Sequence, residues 1–269
     1  MRARLTALLL AASASAAAAQ KPPVEPGSDA ELAQTLTNPV ASLIQAPVQN
    51  NFDWGWGADG SGFRYQANIQ PVVPISLDSD WNLISRTILP VIGQSDVTGP
   101  ATSQFGLGDV VQSLFFSPAR PSASGLVWGA GPVLLVPTAT DAALGTGKWG
   151  VGPTAVVLRL DGQFTYGALV NHIWSFAGKA SRADVSATFV QPFLAYTSRT
   201  ATTYSINTET TYDWTNDQWL VPINVGISQL VVVGKQPVSI GAGARYWVES
   251  PRGGPDWGMR LTLTMLFPK

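Results

Sequence analysis

The stretch Phe63-Arg-Tyr-Gln-Ala-Asn-Ile-Gln-Pro-Val-Val-Pro-Ile-Ser76 sorts its side chains by parity. Phe63, Tyr65, Ala67, Ile69, Pro71, Val73 and Ile75 share one face, and Arg64, Gln66, Asn68 and Gln70 share the other. A period of two belongs to a β-strand whose faces meet different surroundings. The pattern recurs at the far end, where Met259, Leu261, Leu263, Met265 and Phe267 alternate with Arg260, Thr262 and Thr264. It recurs between residues 202 and 214, where Tyr204, Ile206, Tyr212 and Trp214 alternate with Ser205, Asn207, Glu209, Thr211 and Asp213.

Working outward from residue 47, about twelve such segments follow, centred near residues 52, 69, 87, 111, 131, 154, 168, 191, 208, 225, 242 and 261. Several reach the ~9–11 residues that a tilted strand needs to cross a bilayer. Asp161-Gly162 and Gly234-Lys235 read as two-residue turns, and residues 77–80 are also short. Longer polar gaps at 94–104, 139–146 and 175–183 alternate with them, as in an up-and-down barrel with short periplasmic turns and longer outer loops. The reading is an all-β fold, an antiparallel transmembrane β-barrel of about twelve strands over residues 47–269. The alternation blurs at 110–116 and 126–136. Pro71, Pro74, Pro90, Pro132, Pro153, Pro192 and Pro222 fall inside expected strands, so bulges or bends are expected there.

Composition agrees. Only 12% of the 269 residues are charged while 45% are hydrophobic, against about 25% charged in soluble domains. Part of the exterior is therefore expected to meet something other than water. No segment supplies the ~20 apolar residues of a membrane helix. Residues 126–136 are too short for one and contain Gly129, Gly131 and Pro132. A closed barrel is the remaining way to satisfy every backbone group in lipid. Sixteen basic against 17 acidic residues give no electrostatic case for nucleic acid. With no cysteine, disulfides, thiol catalysis and thiolate metal sites are excluded.

Residues 1–19 read as a secretory signal, with Arg2 and Arg4, an apolar core over 5–12, and small residues at Ala17 and Ala19 before Gln20. Residues 20–46 form a Pro-rich and helical segment. Ser28 and Glu31 have capping-box spacing, so a short helix over 29–37 is expected, ended by Pro39. It could plug the lumen, lie under the barrel as a periplasmic segment, or dock loosely.

If odd segments run outward, eight tryptophans fall near the outer ends. Trp54, Trp149, Trp174, Trp214, Trp219 and Trp257 form a membrane-interface girdle on this reading. Trp56 lies near them, and Trp247 shares the parity of Arg245. Trp81 and Trp128 mark the inner ends.

Nine short motifs together resemble a known family: Asn38-Pro-Val-Ala-Ser-Leu-Ile44, Asn68-Ile-Gln-Pro-Val-Val-Pro74, Asp80-Trp-Asn-Leu-Ile84, Gly106-Leu-Gly-Asp109 with Gln112-Ser-Leu-Phe-Phe-Ser-Pro118, Leu134-Leu-Val-Pro-Thr-Ala-Thr140, Gly145-Thr-Gly-Lys-Trp-Gly150, Asn171-His-Ile-Trp-Ser175 and Gly253-Gly-Pro-Asp-Trp-Gly258. They are similar to the transporter-like outer-membrane barrels associated with the MetA pathway of phenol degradation. The likeness spans residues 38–269. It implies a bacterial outer-membrane location and movement of small, often hydrophobic or aromatic compounds, with no catalytic motif and no cofactor.

Charged side chains facing lipid cost about 2–4 kcal/mol near the midplane, so the lumen is their cheaper location. The candidate pore-lining residues are Arg64, Gln66, Asn68, Arg86, Asp109, Asn207, Glu209, Asp213, Arg245, Glu249 and Arg260. They would line a water-filled path or pair within a closed interior. The expected partners are outer-membrane lipid and a small-molecule substrate, not nucleic acid. Two alternatives stand beside the channel. A lipid hydrolase would need His172, the only histidine, as its base, with Ser175 three residues on and so on the opposite face of a regular strand. A structural barrel without transport is the other. The Gly-x-Gly pairs at 129, 145 and 241 lack a following helix and so are not phosphate cradles. Asp109, Asp141 and Asp161 lack calcium-loop spacing, and no metal site is expected.

Overall fold

The computed structural model describes residues 27–267. The signal-peptide reading lies outside them. Twelve antiparallel strands follow in sequence order. They are β1 (Ile44–Trp56), β2 (Gly62–Ile69 continued by Val72–Ser76), β3 (Trp81–Ser95), β4 (Ser103–Leu107 continued by Val110–Pro118), β5 (Leu126–Val136) and β6 (Lys148–Asp161). Then come β7 (Phe164–Gly178), β8 (Ser186–Thr197), β9 (Thr202–Thr208 continued by Thr210–Asp213), β10 (Gln218–Val233), β11 (Gln236–Glu249) and β12 (Trp257–Phe267). Each pairs with its sequence neighbours, and β1 closes on β12 from Ile44↔Phe267 to Trp54↔Trp257. Every expected segment centre falls inside the corresponding strand.

The alternation read from sequence becomes inside and outside. Along β12, Met259, Leu261, Leu263 and Met265 are exposed outward, while Thr264 and Leu266 are buried inward. The register carries that parity round the wall: Arg260 faces Asn51 and Gly243, and Asp53 faces Arg64. The interior is not uniform. Toward β3–β8 it is filled by Ile84, Phe115, Val127, Val156, Leu158 and Leu169, with Phe189 and Phe193 against them. Toward β1, β2, β9–β12 and the adjoining side of β3, which carries Arg86, it is polar. The blurred sequence patterns follow from this. On β5 the inward Val127, Val133 and Leu135 are as apolar as the outward Leu126 and Leu134. On β4 the outward Gln112 takes hydrogen bonds from Thr87 and gives one to Ser85, satisfying its amide on the outer face.

Three of the seven in-strand prolines occupy irregularities, as expected, while Pro74 and Pro192 pair in register with Ile84 and Ala168. Pro71 sits in the break of β2, and Pro90 faces the Gly108–Asp109 interruption of β4, whose Gly108 N–H donates to the Pro90 carbonyl. Pro222 lies at a register shift against β11. Pro132 and Pro153 differ: they face each other across an otherwise regular β5–β6 ladder. The tight turn after β6 is one residue later than read from sequence, because Asp161 pairs with Phe164 and leaves Gly162-Gln163 between. Gly162 (φ 59°) and Gly234 (φ 67°) open the two-residue hairpins in the left-handed region that glycine adopts without strain.

One helix, α1 (Asp29–Thr35), precedes the barrel. Ser28 caps it by accepting from Glu31 N–H, while the Glu31 carboxylate reaches back to Gly27 N–H, one residue before the cap. The helix stops short of the expected residue 37, its last turn tightening into Thr37→Gln34 and Asn38→Thr35 bonds ahead of Pro39. Its buried side packs into the end of the barrel that carries the short turns. Ala33, Ala41 and Leu43 cluster with Ala201, Leu230 and Leu266, and Gln34 donates to the carbonyl of Gly162 at 2.8 Å.

Close strand approach leaves no room at Gly152, where a methyl would run into the His172 carbonyl of β7. Gly152→Ala is expected to weaken the β6–β7 seam. Compared with wild type, it should lose its compact, heat-sensitive form in unheated SDS gels at a temperature at least several degrees lower.

Candidate functional site

The strands of the polar wall bring six charged side chains into one cluster inside the barrel. Arg245 donates from Nη1 to both Asp53 oxygens at 2.8 Å, and its Nη2 lies 3.7 Å from Glu209 Oε2. Arg260 grips Glu209 in a parallel fork of 2.9 and 2.8 Å. Such bidentate pairs combine charge with fixed direction. Their side chains are only 8–20% exposed. Charges so far from water persist only when their remaining groups are also satisfied. Arg260 Nε accordingly donates to Asn51 Oδ1 at 2.7 Å, and Arg245 Nε to Asn224 Oδ1 at 3.2 Å.

The other two arginines have no carboxylate at salt-bridge distance among the described residues. Arg86 donates to the Gln70 amide oxygen at 2.8 Å, and Arg64 lies over the Trp56 ring at 5.1 Å. Arg245 stacks similarly on Trp247, which is buried inside the wall. Among the described residues, four guanidinium groups therefore share the cluster with two carboxylates, an excess of two positive charges located on Arg64 and Arg86.

Of the pore-lining residues read from sequence, Arg64, Gln66, Asn68, Arg86, Asn207, Glu209, Arg245 and Arg260 face the interior. Three carboxylates are placed differently. Asp109, at the β4 interruption, accepts from Ala139 N–H, Thr146 N–H and Thr146 Oγ1, holding the 137–147 loop. Asp213 accepts from Thr215 and Asn216 N–H and ties the turn after β9. Glu249 follows the β10–β11 register shift, pairs with Val221 and is exposed at the rim. Short acidic side chains at strand ends prefer free turn amides to a distant arginine. Asp53, Asn51 and Asn224 were missed. Asp53 and Asn51 share a parity opposite Phe52 and Trp54, a signal present in the sequence.

The six girdle tryptophans lie on the outer face at the longer-loop end. Trp54 stacks on Trp257 at 4.5 Å, and Tyr212 lies between Trp214 and Trp219. His172 belongs to this outer face. Its Nδ1 is 2.7 Å from Thr188 Oγ1, and its ring packs on Trp174 at 4.1 Å. Ser175 is occupied elsewhere, accepting from Val185 N–H and donating to Asp184. The Asp184 carboxyl, in the loop after β7, is held below its usual range by Lys148 and this hydroxyl. The hydroxyl beside His172 is thus a threonine, and the serine of the hydrolase alternative is not beside it.

At the level of sequence, no family model and no curated protein matches the chain. Among solved structures it is similar to an outer-membrane channel from Pseudomonas putida F1, with TM-score 0.66 and 15% identity over 84% of this chain and 96% of that one. The fold is that of an outer-membrane barrel. Weaker likenesses are to outer membrane phospholipase A of Escherichia coli, at TM-score 0.48 and 11% identity over 84% and 90%, and to the Salmonella typhi phospholipase dimer with bound calcium, at 0.47 and 11% over 83% and 91%.

Removing Glu209 leaves Arg260 without its carboxylate. Glu209→Ala is expected to cost about 3–5 kcal/mol in urea unfolding from detergent micelles, the range for breaking a buried pair. Asp213→Ala should cost less than about 1 kcal/mol, near the range of an exposed side-chain contact.

Proposed function

We propose that this protein is an outer-membrane channel for small solutes that favours anions over cations. The carrying observation is the excess of two guanidinium groups at the polar wall, with Arg64 and Arg86 free of carboxylate partners among the described residues. Low-dielectric walls focus such a field and raise the local concentration of counter-ions. The outer apolar face with its aromatic band supports a lipid partner, and the likeness in fold to an outer-membrane channel supports the location. Short turns lie at the end holding α1, which is then the periplasmic end. The hydrophobic or aromatic compounds implied by the family resemblance would meet this belt on their way through. Those bearing a carboxylate would be the ones it favours.

The test is the reversal potential of single channels in a planar bilayer under a tenfold KCl gradient. Wild type should show anion preference. Arg64→Gln with Arg86→Gln should abolish it, since two guanidinium groups would then face two carboxylates. Cation preference in wild type would refute the reading.

A further inference from the structure

The interior holds a chamber of about 290 Å³ between the arginine belt and α1. This is at the small end of ligand sites, ~300–1,000 Å³. Ala33, Leu36 and Pro39 lie at its floor, and Arg86, Arg245 and Arg260 at the belt side. Gly226, Gly241 and Gly243 line one wall, where the absence of side chains creates the space.

The direction of the hydrogen bonds decides what the chamber can hold. Arg86 donates to Gln70 Oε1, so the Gln70 amide turns its NH₂ away and donates to Gln49 Oε1 at 2.7 Å. The Gln49 NH₂ ends this relay and finds no acceptor among the described residues. A second relay runs in parallel. Arg245 donates to Asn224 Oδ1, and Asn224 donates to Asn207 Oδ1 at 2.8 Å, leaving the Asn207 NH₂ as its terminus. Gln49 and Asn207 both line the chamber. A guanidinium has no acceptor, so each relay is oriented by its arginine and must end on a donor. Hydroxyls of Ser205, Ser228, Thr262 and Thr264 complete the polar lining.

We infer that the chamber is a substrate site for a small, oxygen-rich organic anion, a hydroxylated carboxylate. Its carboxylate would face the surplus guanidinium charge, and its hydroxyl oxygens would accept from the relay ends. A hydrocarbon ring would leave both amide donors unpaired, the arrangement that sites built to hydrogen-bond reject most strongly. The inference rests on the channel reading for how the solute arrives, but binding can be measured without conduction.

The experiment is isothermal titration of the full chain in detergent micelles with D-galacturonate, benzoate, inorganic phosphate and D-glucose. Galacturonate should bind at least tenfold tighter than the other three. Gln49→Glu keeps the shape and the acceptor used by Gln70 while replacing the terminal donor with a carboxylate. It should weaken galacturonate by more than tenfold, whereas Thr87→Val on the outer face should leave binding unchanged. Benzoate or phosphate binding as tightly as galacturonate, or no heat with galacturonate, would overturn the assignment. An anion-selective channel that gave either result would lose its chamber but remain a channel. Tight galacturonate binding by a chain that conducts nothing would support the chamber and refute the channel.

Discussion

Lipid offers no hydrogen bonds, so a chain crossing it must pair its backbone internally and present apolar side chains outward. In this protein both requirements meet in the β1–β12 seam, which turns a meander into a closed wall. Once the wall is closed, parity leaves each strand one place for polar side chains. Arginines, carboxylates and amides from distant parts of the sequence are therefore concentrated in the same small volume. The cluster of Asp53, Glu209, Arg245 and Arg260 is a consequence of closure as much as of local attraction.

Crowding makes the pairing geometry consequential. Each paired arginine uses terminal nitrogens on a carboxylate, one for Arg245 and two for Arg260, and its Nε on an amide, so the charge is anchored and the amide is oriented. Arg64 and Arg86 are held by an aromatic ring and a glutamine, which position them without neutralising them. The opposite wall is packed with aliphatic and aromatic side chains, and Arg86 of β3 stands at its edge beside the cluster. In the channel proposed above, an interior with one charged side and one dry side would set both where a solute travels and which of its groups leads.

Strands were legible wherever the two faces met different media. Residues 63–70 and 259–267 could be read residue by residue. Residues 110–116 and 126–136 could not, because the same kind of side chain faces both inward and outward there. His172 shows the limit differently: β7 carries apolar side chains on both faces, and the alternation of buried Leu169 and Ile173 with exposed Val170 and Trp174 is what places it outside. Parity also fails at strand ends. Glu249 lies beyond a register shift, while Asp109 and Asp213 are taken by loop amides. Arg64, Arg86, Glu209, Arg245 and Arg260 lie along the strands, where parity holds. Which arginine pairs with which carboxylate depends on neighbours far apart in sequence, such as Asp53 and Arg245, and a single strand cannot show that.

With one face of β12 in lipid and the other in the lumen, its two parities must meet different media, and the cysteine-free chain makes this directly measurable. Single cysteines at positions 259 to 265, spin-labelled in protein reconstituted into liposomes, can be compared for collisions with oxygen and with a water-soluble nickel chelate. Positions 259, 261, 263 and 265 should be accessible to oxygen and shielded from nickel, while 262 and 264 should show the reverse tendency. Uniform nickel access along all seven positions would contradict the membrane barrel. Uniform exclusion of both relaxants would contradict a solvent-reached lumen.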